Sequence, residues 1–206
     1  MVEAVPAALN PGRPGQRGAR QLAAAAAVVA VLGLWRAPAA ATVVVAKDFA
    51  ALCAEADLVF VGTVTAVTSA WRDTAQRSIE TRVTFAELTW LRGDPRPTIT
   101  LQFAGGEIDG LREEIAGVPR FAVGERRIIF AHAGDFLSPV VGFHQGVFGV
   151  VDHGDGPVVL DAGGRPVTAV GRAALVRGAP GDDAAALPLA AFLDRVRQQL
   201  GAERPP

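Results

Sequence analysis

The feature that most constrains this chain is a pair of long alternating runs, "DLVFVGTVTAVTSAW" from Asp57 and "SIETRVTFAELTWLRGD" from Ser78. In the first, Val59, Val61, Thr63 and Thr65 fall on one side, and Leu58, Phe60, Gly62 and Val64 on the other. That period of two is the signature of a half-buried strand. A glycine inside so long a run marks a bulge or strong coil, which lets one strand bend around a small core. The second run sets Ile79, Thr81, Val83 and Phe85 in register and ends at Gly93-Asp94-Pro95. Pro95 and Pro97 then punctuate the start of "TITLQF". Three successive strands with short connections predict an antiparallel meander.

Further strands follow. Gly105-Gly106 ends the third by giving the backbone freedom to turn. Pro119 and Gly124 bracket Phe121 as an apolar anchor between turns, and "RRIIFAH" resumes as a strand. "VFGVVDHGDGPVVLD" pairs two apolar runs across a glycine-containing loop, the chemistry of a hairpin. Gly142, Gly146 and Gly149 stand among large residues, which suggests close strand crossing or bulges. Two helices flank the strands. Phe49, Leu52 and Cys53 share a face of a short helix over about 47–56, and Leu189, Phe192, Leu193 and Val196 recur at helical spacing before the stop signal Gly201. The expected fold is mainly β: a small antiparallel, OB-like β-barrel with a short N-terminal helix and a C-terminal helix. It occupies 42–172, with a Gly/Pro/Asp-rich link over 173–186 and the last helix over 187–201.

The succession "ADLVFVGTV", "IETRVTFAELTWLRGD", "GVPRFAVGERRIIF" and "GFHQGVF" resembles uncharacterised exported bacterial proteins, over roughly Ala56 to Asp161. Their strand order resembles the five-stranded barrel of netrin and tissue-inhibitor-of-metalloproteinases modules. The resemblance implies a barrel type only. Protease contact in those inhibitors depends on an N-terminal cysteine at the zinc and on a disulfide frame, and this sequence has neither, so no inhibitory residue carries over.

Residues 1–41 read as a signal peptide. Arg13, Arg17 and Arg20 precede the apolar run Leu22 to Trp35, and "RAPAAA" offers small residues for cleavage after Ala39 or Ala41. The alternative is an uncleaved anchor, which Arg36 interrupts and which is short of the ~20 residues a membrane helix needs. Export to the periplasm or the extracellular space is therefore expected, with membrane contact only through an uncleaved leader. Of 20 basic and 21 acidic residues, four arginines and Glu3 precede Thr42, leaving 16 and 20 and a formal charge of −4. With Lys47 the only lysine and no basic stripe, the charge pattern speaks against nucleic acid as a partner. The single Cys53 excludes an intramolecular disulfide framework and reads as a small core residue.

Candidate chemistry is sparse. His132, His144 and His153 are the only histidines and none has tight metal-ligand spacing, although Asp135, Asp152 and Asp155 lie nearby in sequence. Ser69, Ser78 and Ser138 are the only serines, and none stands in Gly-x-Ser-x-Gly. "GGEIDG" lacks the strand-to-helix context of a phosphate loop. Its neighbours Glu107, Asp109, Glu113 and Glu114 read as a solvated rim. No catalytic residue and no cofactor is assigned. The expected function is that of an exported, non-catalytic envelope module that binds an extracytoplasmic protein or a small ligand. The alternative is a metal-dependent or hydrolase-like secreted enzyme with a site near His132, His144 or His153.

Overall fold

A computed structural model describes residues 45–202, apart from positions 74, 76, 135, 172 and 173. The leader over 1–41 with its cleavage sites, and the candidate ligand Asp135, lie outside the described residues.

The first helix, α1 (Phe49–Glu55), begins where Asp48 places its side-chain oxygen 2.7 Å from the N–H of Ala51. Such an N-cap contributes about 0.5–2 kcal/mol by satisfying a donor the helix cannot. Its far end is closed from a distance in sequence. Arg92 Nη1 donates to the carbonyls of Cys53 at 2.6 Å and Ala56 at 2.9 Å, groups that otherwise lack an intrahelical partner. The chain entering α1 is held by Gln145, which accepts from the N–H of Lys47 at 2.7 Å and donates to the carbonyl of Val45 at 2.9 Å.

Beyond α1 come β1 (Leu58–Asp73), β2 (Ser78–Arg92), β3 (Ile99–Ala104), β4 (Gly106–Ile108), β5 (Leu111–Glu113), β6 (Arg126–Ala131), β7 (Val147–His153) and β8 (Gly156–Asp161). Six of them form one antiparallel sheet in the order β3-β2-β1-β6-β7-β8. The ladder between β1 and β2 shifts register between Val61 and Thr63, opposite Glu87, a non-glycine residue at φ 54°. Thr63 Oγ1 donates to the Glu87 carboxylate there at 2.8 Å. Gly62 faces this irregularity, and a Cβ on it would stand 2.6 Å from Leu88 Cδ2, so that side chain would have to shift.

Mainly β and antiparallel holds; closure of the sheet into an OB-like barrel is not found. β3 and β8 are its edges, and no ladder joins them among the described residues. Beside β3 runs a loop instead. The N–H of Ala104 donates to the carbonyl of Leu137 at 2.7 Å, and Val140 bridges to Ala131 of β6. Pro139, which has no N–H to give a ladder, interrupts this segment, and the chain then turns through 141–146 before β7. At Gly146 a Cβ would lie 2.9 Å from the carbonyl oxygens of both Phe130 and Val141, so close backbone approach accounts for that glycine.

Alternation along the strands loads both faces. Phe60, Val64, Val83, Phe85, Ile99, Leu101, Phe103 and Ile129 build one core. Val59, Val61, Ile128, Phe130, Phe148 and Val159 build a second, covered by Phe49, Leu52 and Cys53 of α1 and by the last helix. Consecutive residues of β6, Ile128 and Ile129, are thus fully buried in different cores. The stretch 173–186, expected as a link, contains β10 (Leu175–Arg177), which pairs with β9 (Val167–Val170), and a 3-10 turn at Asp183–Ala185. The carbonyl of Gly178 accepts from Arg165 at 3.1 Å, and Asp161 accepts from Arg177 at 2.7 Å. The last helix, α2 (Leu189–Ala202), buries Leu189, Phe192, Leu193 and Val196. Its Phe192 ring meets those of Phe49 and Phe148 at centroid distances of 6.0 and 5.1 Å. No helix among the described residues is long and apolar enough to cross a membrane.

Candidate functional site

The three histidines lie in different settings. His153 ends β7 beside the two-residue loop that leads to Gly156, with Asp152 and Asp155 exposed around it. His144 is exposed in the turn before β7. His132 follows β6, half-buried, its N–H donating to the Pro139 carbonyl at 2.7 Å and its ring 5.0 Å from that of Phe136. Among the described residues, no three His, Cys, Asp or Glu side chains are grouped so as to hold a metal ion.

The loop that runs beside β3 makes a cavity of about 440 Å³ next to His132, lined also by Val45, Lys47, Phe136, Leu137, Ser138, Val140, Gly142 and Phe143. The lining is largely apolar, and part of it faces solvent: Phe136 is 44% and Leu137 55% exposed. Lys47, the lysine in this wall, has its ammonium on Glu55 at 2.6 Å. Ser138 is only 8% exposed, and its Oγ is buried with no hydrogen-bond partner. The hydroxyl is therefore not bonded to His132, so the two side chains do not form the nucleophile–base pair a serine hydrolase needs. The sequence singles out His132, but not the orphaned hydroxyl six residues on. Ser138 is buried by the return of 137–140 toward β3 and β6, a tertiary event with no local signal.

A second cavity, about 260 Å³, opens where Gly105-Gly106 leaves β3. It is lined by Ser69, Thr81, Phe103, Phe121, Arg112, Glu113 and Glu114 among others. Here the polar groups already serve the fold. Thr81 Oγ1 donates to the Gly105 carbonyl at 2.7 Å, and Glu113 accepts from the N–H of Ile79 at 2.6 Å. Arg112 bridges Glu114 at 2.8 Å, and Arg120 reaches the same carboxylate. Both glycines have positive φ, and a Cβ on Gly106 would strike Thr81 Oγ1 at 2.5 Å. The rim reading needs one correction: Glu113 is half-buried and closes a backbone donor of β2. No protein-family model, curated protein or solved structure matches the chain.

Proposed function

We propose that this chain is an exported, non-catalytic envelope module that binds a protein or a small ligand outside the cytoplasm. The observation that carries the reading is the cavity beside His132, where exposed Phe136 and Leu137 rim a largely apolar hollow. Concave, mostly apolar sites with few polar groups are the usual form of ligand pockets. The apolar "LAAAAAVVAVLGLW" run before "RAPAAA" supports export. The finer fold reading, kinship with the OB-like barrel of netrin-type modules, draws on strand order: a meander β1-β2-β3 with β6 and β7 added on the far side of β1. That order suits a Greek-key barrel opened at one seam.

The second reading, a metal-dependent or hydrolase-like enzyme, draws on His132 and Ser138 sharing one cavity. Two measurements separate the readings. Elemental analysis of the purified chain should find no stoichiometric transition metal, and a Leu137→Asp variant should lose a partner or ligand that the wild type captures from the extracytoplasmic fraction. One metal per chain, lost on substituting His132 or His153 by alanine, would favour the enzyme.

A further inference from the structure

We infer that the free edge of β3 docks a peptide: an extended segment of a partner protein, alternating polar and apolar residues and ending in an acidic group, adds there as a further antiparallel strand opposite Thr100 and Gln102. This surface is separate from the hollow of Val45, Lys47 and Phe143 that carries the binding-module reading.

Two hydrogen bonds fix which way the β3 backbone faces. The N–H of Gly105 donates inward to the Ile79 carbonyl of β2 at 2.8 Å, and that of Ala104 donates outward to Leu137 at 2.7 Å. Direction alternates along an antiparallel ladder. Thr100 and Gln102, paired with Thr84 and Arg82, therefore share the parity of Ala104 and turn their N–H and C=O groups away from β2. Among the described residues those groups have no partner. The other edge is covered: Val159 donates to the Leu187 carbonyl at 3.0 Å, and Val158 and Leu160 bridge to Pro188 and Pro166. Exposed edges are usually blunted by charge, proline or cover, and "ITLQFA" carries neither charge nor proline.

The chemistry of the edge selects the occupant. A space of about 250 Å³ lies between β3 and His132, Phe136 and Pro139. Directly opposed residues of an antiparallel pair send their side chains to one face. A residue opposite Leu101 thus takes the face on which Leu101 enters the core, and the apolar Leu58 and Phe136 also line the space. Its two neighbours share the exposed face of Thr100 and Gln102, which suits polar residues. Arg96 is the one Arg, Lys, Asp or Glu among the described lining residues. Its guanidinium lies 5.5 Å from the Trp90 ring centroid with no carboxylate on it among the described residues. Because Arg96 precedes β3, an antiparallel strand brings its C-terminal end there, where a carboxylate meets the guanidinium.

The test titrates the purified chain with a fluorescein-labelled peptide of alternating threonine and valine ending in aspartate, following anisotropy. One peptide per chain should bind saturably. N-methylation of the threonine amides, which face β3 in this register, should weaken binding at least tenfold, and N-methylation of the valine amides less than twofold. Arg96→Gln should weaken the peptide about three- to fivefold and leave an asparagine-ended peptide within twofold. Gln102→Pro removes an outward N–H without touching the ladder to β2; it should weaken binding at least tenfold and leave the urea midpoint close to that of the wild type. If that variant does not fold, the methylation series decides alone. The proposal is overturned if no peptide binds saturably, if both methylation series weaken binding alike, or if a folded Gln102→Pro binds as the wild type does. A wild-type dimer that Gln102→Pro dissolves would also overturn it, giving the edge to a second copy of the chain. Each of these outcomes leaves the Leu137→Asp capture test of the broader reading unaffected.

Discussion

Phe121 stands edge-on to Phe85, with ring centroids 5.6 Å apart and planes at 87°. This contact gives the 105–124 connection its structural role, since Phe121 also meets Phe103 at 5.1 Å. The loop is thereby pinned against the core to which β1, β2 and β3 contribute. Phe121 is half-buried, so Phe121→Ala should cost less than the ~3–5 kcal/mol of a fully buried phenylalanine, about 2 kcal/mol. Urea unfolding checks this. A midpoint equal to that of the wild type would detach the loop from the core.

Glu113 separates a structural carboxylate from its neighbours. Its Oε2 accepts from the N–H of Ile79 at 2.6 Å, where alanine would leave a donor unmet. Glu113→Ala should therefore lose about 1–3 kcal/mol, while Glu113→Gln, which keeps an acceptor, should lose under half of that. Glu107→Gln and Asp109→Asn should lie within ~0.5 kcal/mol of the wild type, as exposed substitutions do. Equal losses at all of these positions in chemical denaturation would count against the assignment.

The two-faced sheet can be tested at adjacent residues. Ile128 and Ile129 are both 0% exposed, yet they point into different cores. Each Ile→Val change should cost ~0.5–1.5 kcal/mol. The double variant should equal the sum within about 0.5 kcal/mol, because the two side chains share no packing neighbours across the sheet. A coupling well above that value would mean one continuous core.

What could be read in the sequence was periodic and local. The alternation through Val59, Phe60, Val61 and Val64 placed β1 and its two faces, and Gly62 marked the irregularity opposite Glu87. The helical spacing of Phe192, Leu193 and Val196 located α2. The β4–β5 ribbon carries a weak local signal. Asp109-Gly110, both at positive φ, is a dipeptide favoured in two-residue hairpin turns, but only three residues flank it on each side. The open seam beside β3 had no such signal. It depends on where 137–140 returns in space, which follows from contacts with Ala104 and Ala131 distant in sequence. The cavity and the orphaned Ser138 are products of that return, so the site was legible only as far as His132.

The last prediction concerns α2, whose helical spacing in the sequence gives it an apolar face but does not say what that face covers. Phe192 is 0% exposed and meets Phe49 of α1 and Phe148 of β7. A tail would contribute nothing to stability, whereas this ring joins both helices to the sheet. Phe192→Ala should cost ~3–5 kcal/mol, a transfer term plus the cavity left behind. Because Phe49 loses the same neighbour, amide hydrogen exchange in α1 should accelerate along with that in α2, although the two helices are far apart in sequence. If the variant unfolds outright, Phe192→Leu supplies the milder form of the test: both helices should again lose protection together. Loss of protection confined to α2 would show that it docks as an independent element, and the second core would then be built by α1 and the sheet alone.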